Sequence, residues 1–314
     1  MENPAFLAQS AMQWAWDSTS IGALKFCPRY YQLNIVEGWE PKHKSVHLVF
    51  GILLHSARER FYHHLNNDVE HDEALKLALE WLLVATFDTE LRRPWDSGDK
   101  NKNRFTLVRT FIWYCDHWRH DPIETVKLAN GKPAVELSFS FATDYKIDVG
   151  PRGAHGGEPI VLCGHMDRLG RFTDGIWVND LKTTKQTLNQ SYFDGFTPDN
   201  QMSTYSYASK VVYNEPAKGV LIDACQVAIT FSRFGRGIVP RTPDQLAEWY
   251  DELGIWFSQA QHYAKNGVWP MNERSCWRCA FRSICSKPAS VRERWLKADF
   301  QRRMWNPLEA RGDV

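Results

Sequence analysis

No apolar run in the chain approaches the roughly 20 residues that a membrane-spanning helix needs. The N-terminal stretch MENPAFLAQSAMQWAWDS has no basic segment leading into an apolar one, so it does not read as a secretory signal. No G-x4-GK[ST] loop is present, which excludes a fused helicase within this chain. Internal repeats and low-complexity tracts are missing as well. An excess of one charge is also lacking: 38 Lys and Arg face 37 Asp and Glu, for a net charge of +1. A protein that coats duplex nucleic acid is usually more basic. The balance leaves room for a local basic groove and speaks neither for nor against nucleic acid.

What the chain does have is apolar and aromatic bulk. Hydrophobic residues make up 43% of its 314 positions and aromatics 13%, with 14 Trp. A chain of this length and composition folds around a large core. These features predict an intracellular, cytoplasmic protein with no membrane partner. Its seven Cys, an odd number, then do not read as a disulfide framework.

Apolar positions Phe50, Leu53, Leu54, Ala57, Phe61 and Leu65 recur with a helical period, and further helices are expected over about 72–87 and 103–118. An exposed loop near Pro94–Asn103 separates the last two. At Pro133 the character changes. AVELSFSF alternates, and IVLCGHMDRLGRF and IWVNDLKTT read as two more strands, with the Gly/Pro-rich loop DVGPRGAHGGEP before the second. A helix over about 199–212, a strand over about 219–232 and a helix from Thr242 to about Lys265 follow. The expected class is α/β, with a mixed sheet flanked by helices and a helical N-terminal region.

Cys276-x2-Cys279-x5-Cys285 lets three thiolates turn onto one metal centre. Cys115, Cys163 and Cys225 sit in apolar segments that suit buried thiols. Cys27, in LKFCPRYY, is the best fourth ligand. Spacing alone leaves zinc and iron–sulfur both open. Acidic and basic groups recur elsewhere: His55 on the first helix, Glu136 on the first strand, Asp167 in GHMDR, and Asp180 with Lys182 in NDLKTTK. Asp180 and Lys182, two apart on a strand, share a face. Several carboxylates with one imidazole suit Mg2+ or Mn2+, and such a site supports phosphodiester hydrolysis.

This ordered series resembles the PD-(D/E)XK nuclease superfamily. More narrowly, it resembles the iron–sulfur branch that contains the Cas4 nucleases and the nuclease domains of RecB and AddB. The residues that carry the resemblance are STSIGALKFCPRYYQL, FGILLHSARERF, VELSFSF, GHMDRLG, VNDLKTTK, QMSTY and the terminal Cys run. It implies a restriction-endonuclease-like fold. His55, Asp167, Asp180 and the backbone carbonyl of Leu181 would be metal ligands, Glu136 an accessory acid and Lys182 the catalytic lysine. Gln201 and Tyr205 match the branch's helical Gln-x3-Tyr motif. Cys27, Cys276, Cys279 and Cys285 would hold a structural [4Fe–4S] cluster as a C-terminal staple. The sequence departs at Leu181, where the family often has Tyr, and in the lengthened loop DVGPRGAHGGEP.

The resemblance also implies one nuclease domain over 1–290, with a helical subregion at about 50–120 and a Cys-rich staple at 270–287 pairing with Cys27. Residues 291–314 form a basic tail. The expected activity is Mg2+- or Mn2+-dependent cleavage of DNA, exonucleolytic, on single strands or ends; the alternative is a DNA-binding or scaffolding module of the same fold without catalysis. Recombination, repair or CRISPR-adaptation proteins are the expected partners, in a phage setting among others. Arg29, Tyr30, Tyr31, Trp277, Arg278 and the tail Arg292–Arg303 are candidate DNA contacts.

Overall fold

Alternation and helical periodicity translate directly into elements in the computed structural model, which describes residues 3–7, 10–43, 45–148, 157–173, 175–214 and 216–309. Most of the loop DVGPRGAHGGEP (149–156) and the last five residues of the tail lie outside the described residues. The strands are β1 (Ala15–Trp16), β2 (Trp39–Pro41), β3 (Phe87–Asp88), β4 (Arg93–Pro94), β5 (Glu124–Thr125), β6 (Val135–Lys146), β7 (Pro159–Phe172), β8 (Gly175–Thr184), β9 (Gly219–Val227), β10 (Ser232–Pro240) and β11 (Phe300–Arg302). The helices are α1 (Ser18–Phe26), α2 (Pro28–Tyr31), α3 (Val46–Asn66), α4 (His71–Ala85), α5 (Arg104–His117), α6 (Gln190–Asp194), α7 (Asn200–Tyr213), α8 (Pro243–Asn266), α9 (Arg282–Cys285) and α10 (Ala289–Asp299). Among the described residues no helix is long and apolar enough to cross a membrane.

The chain divides into two compact units: Lys44–Leu137 with Met166–Thr242, and Met1–His43 with Ser138–His165 and Pro243–Val314. In the first, β8 runs parallel to β9 from Val178↔Val220 to Thr184↔Gln226. β10 is antiparallel to β9, and β7 is antiparallel to β8 from Arg168↔Asn179 to Phe172↔Gly175. The sheet is therefore mixed. A parallel pair needs a crossover, and α7 supplies it, packing against β8 and β9. Every residue of β9 is buried, as expected of a strand covered on both faces. Helix α3 buries Phe50, Leu54, Ala57 and Phe61 in a core shared with α4, α5, Leu181, Cys225 and Val227. Each of the Phe and Leu side chains contributes about 1.5–3 kcal/mol. The single strand expected over 219–232 is two strands: Ala228–Phe231 turns the chain, and Ala228 N–H donates to Phe231 C=O. The glycines of FGRG hide the alternation of β10 from periodicity.

In the second unit, β1 lies parallel to β7 at Ala15↔Val161. The first part of the region read as a tail, up to Arg302, is structured. Helix α10 leads into β11, which pairs with β2 (Phe300↔Pro41), and Arg302 donates to the Glu37 carbonyl. Leu296 and Phe300 join Leu33, Trp39, Phe281 and Ile284 in a small core against which Cys279 and Cys285 pack.

Candidate active site

Strands β7 and β8 pair only as far as Arg168↔Asn179. The next backbone donor on β8, Leu181 N–H, is taken by a side chain instead: Asp167 Oδ2, at 2.9 Å. The Leu181 carbonyl lies 2.9 Å from His55 Nε2. Backbone polar groups in an interior must be paired, so side chains complete the ladder where the strands part. His55 reaches this point from the edge of the buried stripe of α3. Its other nitrogen, Nδ1, lies 3.1 Å from Asp167 Oδ2. Burial opposes charge on the imidazole, but Asp167 and, behind it, Asp180 raise its pKa above the ordinary value. Burial likewise works to raise the Asp167 carboxyl. His55, Arg58 and the Leu181 N–H outweigh it and hold the group well below the usual carboxylate range.

Glu136 stands at the start of β6 with φ at +49°, a left-handed conformation that costs a non-glycine residue about 1–2 kcal/mol. Its carboxylate joins Asp167 and His55 in a group whose ligand atoms all lie within 4.8 Å of one another. Asp180 is not in that group. It has turned to Lys182, with Oδ2 2.6 Å from Nζ, and its side chain is 2% exposed. Burial, aided by Asp167, raises this carboxyl above its ordinary value. Burial acts to lower the Lys182 pKa, yet Asp180 more than reverses that, and the side chain stays an ammonium. Lys182 Nζ also donates to Gln201 Oε1 at 2.8 Å, and Gln201 Nε2 donates to Tyr205 Oη at 2.9 Å. Asp199 caps α7 by accepting from the backbone of Gln201 and Met202, which sets where Gln201 emerges.

Behind Asp167 lies a buried ionic network that sequence patterns did not reveal. Arg58 sits 3.5 Å from Asp167 and 3.8 Å from Asp223. Asp223 also accepts from Tyr114 Oη at 2.6 Å and Arg236 at 3.2 Å. Arg236 and Arg168 converge on Asp121, at 2.6 Å and 2.9 Å. One signal was available: Asp223 is the one charged residue of the buried strand β9, and such a charge must be paired.

The four cysteines Cys27, Cys276, Cys279 and Cys285 line one hollow in the other unit, together with Phe26, Tyr30 and Phe281. Hydrogen bonds tie its two walls. Asn272 N–H donates to Cys27 Sγ at 3.3 Å, and Ser275 Oγ and Asn272 Nδ2 both donate to the Phe26 carbonyl. Burial first, then the neighbouring thiols, raise the pKa of Cys279 and Cys285. None of the seven cysteines forms a disulfide; Cys115, Cys163 and Cys225 are buried. Tyr31 is not a surface platform. It is fully buried, stacked on Trp16 at 5.4 Å, and its hydroxyl donates to Gln13. Tyr30 packs edge-on against Phe281, and Arg29 Nε donates to the Trp269 carbonyl. Trp277, by contrast, is 74% exposed, with Arg278 over its ring.

No curated protein matches the chain. Among solved structures, a crystal structure of a candidate exonuclease from Eubacterium rectale superposes with a TM-score of 0.50, at 13% identity, over 89% of this chain and 92% of that one. That likeness is one of fold. The crystal structure of SSO0001 gives a TM-score of 0.30 at 12% identity, over 76% of this chain and 84% of its own. A family model of the PD-(D/E)XK nuclease superfamily matches residues 18–286, and the chain belongs to that superfamily.

Proposed function

We propose that this protein is a divalent-metal-dependent deoxyribonuclease of the Cas4/RecB/AddB-like branch, acting as an exonuclease on single strands or DNA ends. The observation that carries the reading is the gathering of His55, Glu136 and Asp167 within 4.8 Å, next to the buried Asp180 carboxylate that pairs with Lys182. Oxygen donors with one imidazole fit Mg2+ or Mn2+. His55, Asp167, Asp180 and the Leu181 carbonyl would hold the ion, and Glu136 stands close enough to be a further ligand. When bound, such an ion supplies Lewis acidity at the phosphoryl group and a water of lowered pKa.

The chain's own groups do the rest. Lys182 keeps its proton and is held from two sides by Asp180 and Gln201. A fixed ammonium orients the attacking water and stabilises negative charge that develops on the phosphate. Tyr205 holds Gln201, and Gln201 holds Lys182. Arg58 and Leu181 N–H fix Asp167. The exonuclease description of the Eubacterium rectale protein agrees with end-directed cleavage. Exposed Trp277 with Arg278 suits stacking on unpaired bases.

Cys27, Cys276, Cys279 and Cys285 would hold a [4Fe–4S] cluster; four thiols around one hollow fit it. Its role is structural, since hydrolysis moves no electron. The reading includes one nuclease domain over 1–290 with a basic segment after it, a cytoplasmic setting, and recombination, repair or CRISPR-adaptation partners. Its test is cleavage of labelled oligonucleotides, single- and double-stranded, with either end blocked, with Mg2+ or Mn2+. Metal-dependent cleavage that needs a free end and is lost in Asp180→Ala supports it. DNA binding without cleavage under both metals contradicts it and leaves a binding module.

A further inference from the structure

Beyond Lys182, β8 runs into a second cluster of cations that the site described above does not use. Lys102, just before α5, is 3% exposed, and its ammonium donates to Thr183 Oγ1 at 2.9 Å. The face of Phe50 lies 5.2 Å away. An ammonium has three N–H donors, and no carboxylate among the described residues forms an ion pair with this one. A buried charge without a counter-ion is costly. The nearby acid, Asp99, is committed elsewhere. It accepts from the backbone of Asn101 and Lys102 through Oδ1 and pairs with Lys185 through Oδ2 at 3.1 Å.

Two further features point the same way. Lys185, 40% exposed at its side chain, and His47 share the neighbourhood: Lys185 disfavours charge on Lys102, and both lysines do so on His47. The 21-residue helix α3 begins here at Val46 with no side-chain cap and no acid in its first turn. Its free N–H groups and positive dipole end favour an anion. Burial, then Lys185, lowers the Lys102 pKa to about 8, as expected of a cation whose partner is missing.

We propose that Lys102, Lys185 and Thr183, with the start of α3, form a binding subsite for a backbone phosphate of the DNA strand, next to the phosphate being cut. The proposal rests on the nuclease reading. A phosphodiester is an acceptor-only anion and meets the donors Lys102 leaves unused. Thr183 directly follows Lys182 on β8 and turns its side chain to the opposite face, toward Gly51 of α3, the helix that also carries His55.

The test is the salt dependence of affinity for a single-stranded oligonucleotide, in a Lys182→Ala background that cannot cut. Lys102→Met is expected to weaken binding several-fold and to flatten the slope of log affinity against log salt by about 0.7, the value for one lost contact on a single strand. Lys102→Arg is expected to keep the slope. An unchanged slope and affinity in a folded Lys102→Met protein would overturn the proposal. If that variant does not fold, Lys185→Ala, at an exposed position, decides by the same two outcomes. A parent that binds no oligonucleotide overturns the subsite together with the reading beneath it. Wild-type cleavage, measured alongside, separates the two: cutting with indifference to Lys102 and Lys185 removes the subsite alone.

Discussion

Asp180 Oδ2 lies 2.6 Å from Lys182 Nζ, with the acid's side chain 2% exposed and the lysine's 26%. The pair is thus sealed at its acidic end and open at its basic end. That asymmetry assigns the parts: the carboxylate belongs to the interior, where a cation has to compensate it, and the ammonium faces what arrives from solution.

Lys182→Ala is expected to lower the single-turnover cleavage rate by about 10²–10³-fold, the size of losing one preorganised donor to developing charge. Oligonucleotide affinity is expected to change little. Rate and binding measured on the same variant check this; an unchanged rate removes Lys182 from the chemistry.

Glu136→Gly is expected to leave Tm unchanged or higher while cleavage falls. Glycine relieves a left-handed φ worth about 1–2 kcal/mol and gives back roughly 0.5–1 kcal/mol in chain entropy, while the carboxylate near His55 and Asp167 is gone. Thermal melts and initial rates read the two effects separately. Full activity with a large drop in Tm would show a structural role only.

The fold and the site differ in how much of each the sequence reveals, for physical reasons. His55, Asp167, Asp180, Lys182, Gln201 and Tyr205 stand out in the sequence only through the ordered series that resembles the superfamily; strand and helix periods say which of them can share a face, not what they do. Asp180 and Lys182 do share one side of β8. The ionic network of Arg58, Asp121, Arg168, Asp223 and Arg236 was not legible. Its members come from five separate segments, and no local pattern couples them. Tyr30 and Tyr31 look like surface platforms in LKFCPRYY, but Tyr31 is buried by stacking on Trp16 and Tyr30 is partly buried edge-on against Phe281. Lys102 lies in a polar stretch that reads as solvated loop, although its side chain is buried. Backbone strain at Glu136 has no sequence signal at all.

Asp121→Asn is expected to flatten the acid limb of the stability profile. Against the raising effect of burial, Arg236 and Arg168 hold the Asp121 carboxyl at about 2, from 3.8. A depressed folded-state pKa contributes stability that is present above the unfolded value and lost as pH falls through the folded one, here between about 4 and 2. The pH-dependent part is about 2 kcal/mol. Denaturant titrations at pH 5 and pH 2.5 check it; equal loss in wild type and variant would contradict the assignment.

Cys279→Ala is expected to abolish the brown colour of anaerobically purified protein, to lower bound iron and sulfide together, and to reduce Tm, because one of the thiols lining the hollow is removed. Iron and sulfide assays on the wild type decide the metal. Zinc without sulfide would replace the cluster with a tetrahedral site.

The central claim is that carboxylates brought from β6, β7 and β8 meet one imidazole around a single hard cation. Titrating the protein with Mn2+ and following the free-ion paramagnetic resonance signal tests it most directly. Saturable binding in the wild type, weakened at least tenfold in both His55→Ala and Asp167→Ala, is the expected result. A wild-type titration in which the Mn2+ stays free, or binding that neither substitution weakens, would contradict it.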